Sequence, residues 1–407
     1  MRTYLLVLLL FISYRLAAQD AEQKADSVLA HSNINHADYQ EIRGGLENSF
    51  YHFTTSKTSR VAFVGGSITE MKGWKEKVCK YLTERFPKTT FEFIYAGIPS
   101  TGSTAASFRL VNDVLSKGKI DLLFEEASVN DAGQTHTQDI RGMEGVVRQT
   151  LLANPKTDVV LMYFVDPKKM DSYNSGQVPT VIAAHNMVAE HYQLPSLNLA
   201  KEITDRINAN EFTWEDDFKN LHPSPFGHEL YFQSIRSWME NCWEAAGNPT
   251  EKKAHAIPSQ LDPFSFVSGC YVNIRKAKLS DGWKMDKNWS PSDKLPTRKG
   301  FVDVPMLISS TPGAEIKFNF KGTAVGFSNV AGPDAGIIEY KIDDGEFKEL
   351  DLFSKFSTGL YLNQFFVLED ELPAKRHQLT IRVSEKKNEK SKGNTCQIVN
   401  FLVNRGN

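Results

Sequence analysis

The 407-residue sequence has little of several features that would each indicate a particular class of protein. It contains only four cysteines, and no group of cysteines and histidines has the spacing of zinc ligands. Neither sign of charge dominates, because 47 Lys and Arg face 49 Asp and Glu, which argues against a nucleic-acid-binding surface. No segment is apolar for long enough to form a transmembrane helix. The composition therefore favours a globular protein with a neutral or weakly charged partner.

The amino terminus has the pattern of a secretory signal peptide. Arg2 is followed by a short apolar run at residues 5–12, and the small pair at residues 17–18 precedes Gln19. A positive end, an apolar run too short to span a membrane and small residues at the cleavage point are typical of an export signal. No cysteine follows the small pair, as a lipid anchor there would require. We predict a signal peptide at residues 1–18 and a soluble protein in the periplasm or outside the cell.

The pairing of the cysteines stays open at this point. They are Cys79, Cys242, Cys270 and Cys396. An exported protein can form disulfides, and Cys270 and Cys396 fall in the same predicted domain. Four cysteines allow three pairings, and four free buried thiols are an equally simple alternative.

Strand and helix patterns alternate through the first half of the chain. Apolar runs predict five strands, at residues 61–64, 91–95, 120–127, 158–165 and 194–199. Helical periodicity lies between them, for example in Trp74, Val78 and Leu82 at intervals of four residues. Nearly continuous apolar strands that alternate with helices are typical of a parallel sheet covered on both faces. We predict an α/β fold with a doubly wound, flavodoxin-like parallel sheet of about five strands.

The character of the sequence changes after about residue 245. A polar stretch rich in Lys and Pro indicates a linker, and short β-type runs separated by turn residues follow it. One of these turns, Asp343-Asp344-Gly345, has the composition of a hairpin turn. Such a series predicts an all-β sandwich or jelly roll. The predicted division is an N-terminal segment at 19–58, an α/β domain at 59–246, a linker at 247–262 and a β domain at 263–407.

The first predicted strand ends in Gly65-Gly66-Ser67, and a helical segment follows. Glycines allow a tight turn and leave space beside a serine hydroxyl. A serine at such a turn lies at the carboxyl edge of the sheet, where open α/β folds place their ligands, and a helix N-terminus favours developing negative charge. Taken alone, the motif indicates a serine nucleophile no more strongly than it indicates a polar turn or a phosphate-binding loop.

Three further segments carry the groups that a serine nucleophile needs, namely a base and donors for an oxyanion. A Gly-rich segment at residues 96–103 follows the second strand, and Ser128-Val129-Asn130-Asp131 follows the third. Leu221-His222-Pro223 precedes the last helix, where His228 is an alternative base that falls inside the helix. Taken singly, Asn130 could cap a turn, and Glu126 could tune the site or bind a neighbouring backbone N–H. In a doubly wound sheet, loops after parallel strands converge on one edge, which predicts a shared site.

In order and spacing, these segments resemble blocks I, II, III and V of the SGNH hydrolases, the GDSL-type esterase superfamily. The resemblance spans residues 60–245. It implies that Ser67 is the nucleophile and also an oxyanion donor through its backbone N–H. It implies that the Asn130 side-chain amide donates to the same oxyanion. It implies that His222 is the general base.

Two of the positions that carry catalytic roles depart from the family's pattern. Ser100 stands where block II has a glycine that donates its backbone N–H, and Gly97 or Gly102 are alternative donors. The family's aspartate, three residues before the histidine, is replaced by Lys219. Asp217 is the predicted acid, and a Ser–His dyad oriented by a backbone carbonyl is the alternative.

The resemblance implies an exported serine esterase that removes O-acyl groups, in the first place O-acetyl groups, from a carbohydrate or polysaccharide. It implies neither a metal nor a cofactor, and the expected partner is the acylated carbohydrate, with no nucleic acid and no membrane span. One alternative is a lipase or thioesterase for longer acyl chains. A second is a non-catalytic glycan-binding protein on a decayed esterase scaffold. The β domain either binds glycan or only packs, and the oligomeric state is not predicted.

Overall fold

A computed structural model describes residues 19–406, so the predicted signal peptide lies outside the described residues. The contacts group the chain into two compact units. The first unit comprises the chain up to Gly97 together with Lys117–Ile140 and Thr150–Ser259. The second comprises Ile98–Ser116, Arg141–Gln149 and the chain from Gln260 onward. The domain boundaries predicted above stay predictions, but two segments within 59–246 belong to the β-rich unit by their contacts.

Those two segments join the second unit through specific interactions. The Gln149 side-chain amide donates to the carbonyls of Ser107 and Phe266, at 2.7 and 2.8 Å. The ring of Phe108 packs against that of Phe266, with centroids 5.0 Å apart. Both contacts join residues distant in sequence, so periodicity within the α/β region could not show them.

The first unit contains a six-stranded sheet. Its strands are β1 (Gln40–Glu41), β2 (Thr58–Gly65), β3 (Thr90–Gly97), β4 (Leu122–Glu126), β5 (Asp158–Met162) and β6 (Ser196–Leu197). The spatial order is β1-β6-β5-β4-β2-β3, and all pairs are parallel except β1 with β6. The five predicted strands are confirmed, in the order of a flavodoxin-like sheet. β1 was not predicted because its two residues form no apolar run.

Ten α-helices accompany the strands among the described residues. They are α1 (residues 19–31), α2 (Glu47–Thr55), α3 (Ser67–Glu70), α4 (Trp74–Arg85), α5 (Ser103–Asp113), α6 (His136–Ala153), α7 (Pro167–Asn174), α8 (Thr180–His191), α9 (Leu199–Asn208) and α10 (Pro225–Ala246). The apolar face predicted for α4 is buried at Trp74, Val78 and Leu82. Trp74 meets Phe63 of β2 edge-on, with ring centroids 5.5 Å apart, so this helix covers one face of the sheet. None of these helices is long and apolar enough to cross a membrane, as far as the described residues go.

The second unit is antiparallel throughout its strands. They are β7 (Gly269–Val272), β8 (Lys278–Leu279), β9 (Lys284–Trp289), β10 (Val304–Ser309), β11 (Glu315–Gly322), β12 (Ala324–Ala331), β13 (Ile337–Ile342), β14 (Lys348–Asp351), β15 (Leu362–Glu369), β16 (Lys375–Val383) and β17 (Cys396–Asn404). One sheet has the order β15-β12-β17-β10-β9, with β7 also paired to β17, and the other has β14-β13-β16-β11-β8. Phe318 of one sheet stacks on Phe401 of the other at 4.0 Å. The predicted all-β architecture is confirmed, with a shared core between two sheets.

The structure answers the question of the cysteines. All four are free thiols, and three of them are buried. Cys270 on β7 pairs with Val403 near the end of β17, whereas Cys396 begins that strand. The two cysteines of the β-rich unit are therefore separated along the sheet, and the alternative of free thiols is the one observed.

Candidate active site

Ser67 and His222 lie within hydrogen-bonding distance of each other. Ser67 is the first residue of α3, separated from the end of β2 by one residue, and its Oγ is 2.8 Å from Nε2 of His222. The two residues are 155 positions apart in sequence. This distance is what a general base needs to take the proton of a serine hydroxyl. Because α3 is only four residues long, its dipole supports negative charge less than a long helix would.

Gly65 allows other parts of the backbone to approach the nucleophile closely. A Cβ at this position would lie 2.5 Å from Oγ1 of Thr69 and 2.6 Å from the carbonyl oxygen of Glu126. A Cβ on Gly97 would come within 2.5 Å of the backbone nitrogen of Glu70. The first turn of α3 is thus packed against the ends of β3 and β4, and only glycine fits between them.

Asn130 follows β4, the strand next to β2. Gly65 pairs with Glu126 across the two strands, so the nucleophile and Asn130 leave the same edge of the sheet. The chain turns after the strand, since the backbone N–H of Asn130 donates to the carbonyl of Ala127 at 3.0 Å. This edge, between the first and third parallel strands, is the point where the strand order reverses and where such sheets bind ligands.

Glu126 supports the turn that leads to Asn130. Its carboxylate accepts from the Ser128 hydroxyl at 3.1 Å and from the Val129 backbone N–H at 3.4 Å. Of the two roles considered for Glu126, binding a neighbouring N–H is the one observed. Complete burial raises the pKa of this carboxyl to about 7, although Lys169 and the two hydrogen bonds oppose the shift.

A tight turn before α10 presents His222. Residues Trp214–Phe218 form a short π-helical turn, and Lys219 has a φ of +84°. The side-chain oxygen of Asn220 accepts from the backbone N–H of His222 at 2.8 Å. Ser224 caps α10 through its hydroxyl. These local bonds hold the histidine outside the helix, with its imidazole directed at Ser67.

The carboxylate of Asp217, the predicted acid, binds groups of α1 and of its own turn. One oxygen of its carboxylate pairs with Lys24, and the other accepts from the backbone N–H of Thr213 at 2.8 Å. These bonds lower the pKa of the Asp217 carboxyl against the opposing effect of burial. The Asp217 side chain thus closes the π-helical turn, and its part in orienting His222 stays a prediction.

Ser100 lies in the second unit and is exposed. Its backbone has a φ of +63°, in the left-handed region that glycine occupies without strain. The part of Ser100 in binding an oxyanion stays a prediction.

His228, the alternative base considered above, has a structural role. His228 is buried in α10, and its Nδ1 accepts from the backbone N–H of Trp74 at 3.3 Å. Burial lowers the pKa of His228 to about 3, with nearby Lys75 and Lys77 adding to the shift. His228 is therefore a neutral core residue, and His222 is the histidine that meets the serine.

Comparisons with known proteins agree with this geometry. Residues 63–230 match the model of the GDSL-like Lipase/Acylhydrolase family, which confirms the resemblance of the α/β region and supports a carboxylic-ester hydrolase. A search of curated proteins by sequence finds no match.

The fold as a whole is similar to that of a two-domain esterase (CEX) active on acetylated mannans. The crystal structure of that esterase with mannopentaose has a TM-score of 0.75 and 20% sequence identity, covering 92% of this chain and 99% of that chain. A second crystal structure of the esterase has a TM-score of 0.73 and 19% identity, covering 92% and 100%. The likeness shows that both the α/β and the β part have counterparts in a known two-domain fold.

Proposed function

We propose that this two-domain protein, whose α/β region is of the GDSL hydrolase type, removes O-acetyl groups from a carbohydrate by a serine mechanism. The observation that carries the proposal is the 2.8 Å contact between Ser67 Oγ and His222 Nε2 at the carboxyl edge of the sheet. A serine and a histidine in this contact form the minimum unit of a nucleophile and its base.

The reaction follows from the positions of these groups. Ser67 Oγ attacks the ester carbonyl while His222 Nε2 takes its proton, and the carbonyl oxygen becomes an oxyanion. The backbone N–H of Ser67 and the side chain of Asn130 donate to that oxyanion, together with the N–H of Ser100. The intermediate then collapses, the bond between the acetyl carbon and the sugar oxygen breaks, and His222 gives its proton to that oxygen, which releases the sugar alcohol and leaves acetyl-serine. Water attacks the acetyl-serine with His222 again as base, and acetate leaves with regeneration of Ser67.

The carbohydrate part of the proposal is supported by the two-domain likeness. The similar esterase acts on acetylated mannans, and one of its structures was obtained with mannopentaose. That likeness extends over nearly the whole length of both chains, including the β part. We therefore propose an acetylated polysaccharide of the mannan type as the first substrate to test. The signal-peptide pattern at residues 1–18 supports export to the compartment where such polymers occur.

Acetate release provides the test. Wild type and Ser67→Ala are incubated with acetylated glucomannan, acetylated xylan, acetylated pectin and 4-nitrophenyl esters of acetate, butyrate and octanoate. We expect release of acetate from glucomannan by wild type only, with a steep fall in rate as the acyl chain lengthens. Ser116→Ala, which removes an exposed hydroxyl bonded to the carbonyl of Asn112, is the control and should match wild type. Equal rates for wild type and Ser67→Ala would refute the proposed esterase activity. A preference for octanoate would favour the lipase alternative.

A further inference from the structure

A buried group of metal-ligating side chains lies directly after Asn130 in the chain. It consists of Asp131, Asp139 and His185, from the loop after β4, the first turn of α6 and the middle of α8. One potential ligand atom from each residue lies within 4.8 Å of the other two. The exposed fractions are 1%, 1% and 0%, so the group is shielded from bulk water.

The hydrogen bonds within this group are incomplete. His185 Nε2 is 3.1 Å from Asp131 Oδ2, and the Gln134 amide donates to Asp131 Oδ1 at 2.6 Å. Asp139 Oδ1 and His185 Nδ1 are buried, and neither has a hydrogen-bond partner among the described residues. A buried carboxylate oxygen without a donor is costly and uncommon in native structures, so each such atom requires an explanation.

The charges around the group are also unbalanced. Glu126 and Asp166 are further buried carboxylates nearby, while the buried ammonium of Lys169 is already paired with Asp166. Two adjacent carboxylates in such an environment need a proton or a cation between them.

A small cavity opens beside the group. Its volume is about 150 Å³, and its walls include Gln134, Asp139, Asp166 and Lys169. Such a space is large enough for a few water molecules. It therefore offers a route for an ion to reach Asp139 and room for water as a further ligand.

We propose that Asp131, Asp139 and His185 bind a divalent transition-metal cation that holds the loop carrying Asn130. With metal–ligand bonds of about 2.1 Å, adjacent octahedral ligands are roughly 3.0 Å apart and opposite ligands roughly 4.2 Å. The 3.1 Å distance between His185 Nε2 and Asp131 Oδ2 matches an adjacent pair of ligands. The three ligand atoms all lie within 4.8 Å of one another, so they need to approach only slightly to bind one cation. An imidazole combined with two carboxylates favours Zn²⁺ or Mn²⁺ over Mg²⁺ or Ca²⁺, which prefer oxygen ligands alone.

A second histidine–aspartate pair in the same unit, with a half-buried histidine and a buried aspartate, differs from this group. His255 Nε2 lies 2.8 Å from Asp158 Oδ1, and the Ser49 backbone N–H donates to Asp158 Oδ2 at 2.7 Å. Both oxygens of that carboxylate are satisfied, and among the residues that the structure describes no second carboxylate completes a ligand set there. This pair therefore supplies the matched control.

The experiment uses the whole chain from residue 19, first dialysed against EDTA and then against metal-free buffer. Zn²⁺, Mn²⁺, Mg²⁺ and Ca²⁺ are added separately, and the melting temperature and the bound metal per chain are measured by calorimetry and elemental analysis. At a cation concentration 100 times the Kd, we expect a rise in melting temperature of roughly 5 °C or more. We expect about one Zn²⁺ or Mn²⁺ per chain and weaker effects of the other two ions.

Variants of two of the ligands assign the effect to the proposed site. Asp139→Asn and His185→Gln should lose both the bound metal and the shift, whereas His255→Gln should keep both. Asp139→Asn has the shape of the native residue and removes a buried charge, so it should fold. Absence of metal and of any shift in wild type would overturn the proposal. Equal binding by wild type and Asp139→Asn would overturn it as well. Greater stability of Asp139→Asn with no metal effect in either protein would show a protonated carboxyl pair instead.

Discussion

The side-chain amide of Asn363 donates to the carbonyl oxygen of Pro99 at 3.0 Å. Asn363 is 1% exposed on β15, and Pro99 directly precedes Ser100 with its φ of +63°. Both residues belong to the second unit. Within this unit, a strand thus contacts the loop whose backbone N–H is predicted to bind the oxyanion.

Asn363→Ala should lower kcat about 10-fold with little change in KM, because the Ser100 N–H would lose its fixed direction while substrate contacts remain. Asn329→Ala is the control, since Asn329 is equally buried in the same sheet but donates to Gln364. The kinetics of acetyl-ester hydrolysis and the melting temperatures of both variants check this. Equal losses of kcat in the two variants would mean that the effect is general destabilisation.

Asn130→Ala should retain the fold and lose about 2.7–4 kcal/mol of transition-state stabilisation, or about 10²- to 10³-fold in kcat, as for other side-chain oxyanion donors. Asn130→Asp, which keeps the shape but loses the donor, should lose at least as much. Steady-state kinetics with a circular-dichroism check of folding measure this. Unchanged kinetics in Asn130→Ala would remove Asn130 from the site.

Asp217→Asn should reduce kcat by less than 10-fold. Its carboxylate contacts Lys24 and Thr213 instead of His222, whereas loss of a true triad acid costs about 10⁴ in rate. The neighbouring Asp216→Asn is the matched control, because only the backbone of Asp216 bonds to Thr213. A fall of 10³ or more in Asp217→Asn, absent in Asp216→Asn, would establish Asp217 as the acid of the triad.

The buried Glu126 predicts a pH dependence of stability. Its folded-state pKa of about 7 lies above the ordinary value of 4.5, so the folded state keeps a proton that the unfolded chain releases. The contribution of Glu126 to the free energy of unfolding is complete below pH 4.5 and is lost as the pH rises through 7. The loss is on the order of 3 kcal/mol. Glu126→Gln should lack this loss. Urea denaturation at pH 5 and pH 8 compares the two, with the exposed Glu84→Gln as control. Identical pH slopes in wild type and Glu126→Gln would contradict the assignment.

The five main strands and their helices could be predicted because their signals are local. An apolar run such as residues 61–64 is buried on both faces of the sheet, and the spacing of Trp74, Val78 and Leu82 follows directly from the helical repeat. Ser67, Asn130 and His222 were predicted as site residues because each stands beside the end of such an element. The order of the elements then determines which loops share an edge.

Contacts between residues distant in sequence were decided by the tertiary structure alone. No local pattern distinguishes Asp217, which closes its own turn, from a carboxylate that reaches the histidine. The bond from Asn363 to Pro99 joins residues 264 positions apart, and the group of Asp131, Asp139 and His185 forms only when three elements pack. The sequence by itself determined the elements and the residue types at their ends, since backbone periodicity and turn chemistry are short-range. Only packing decided which of those residues meet, because a hydrogen bond requires positions set to within a few tenths of an ångström.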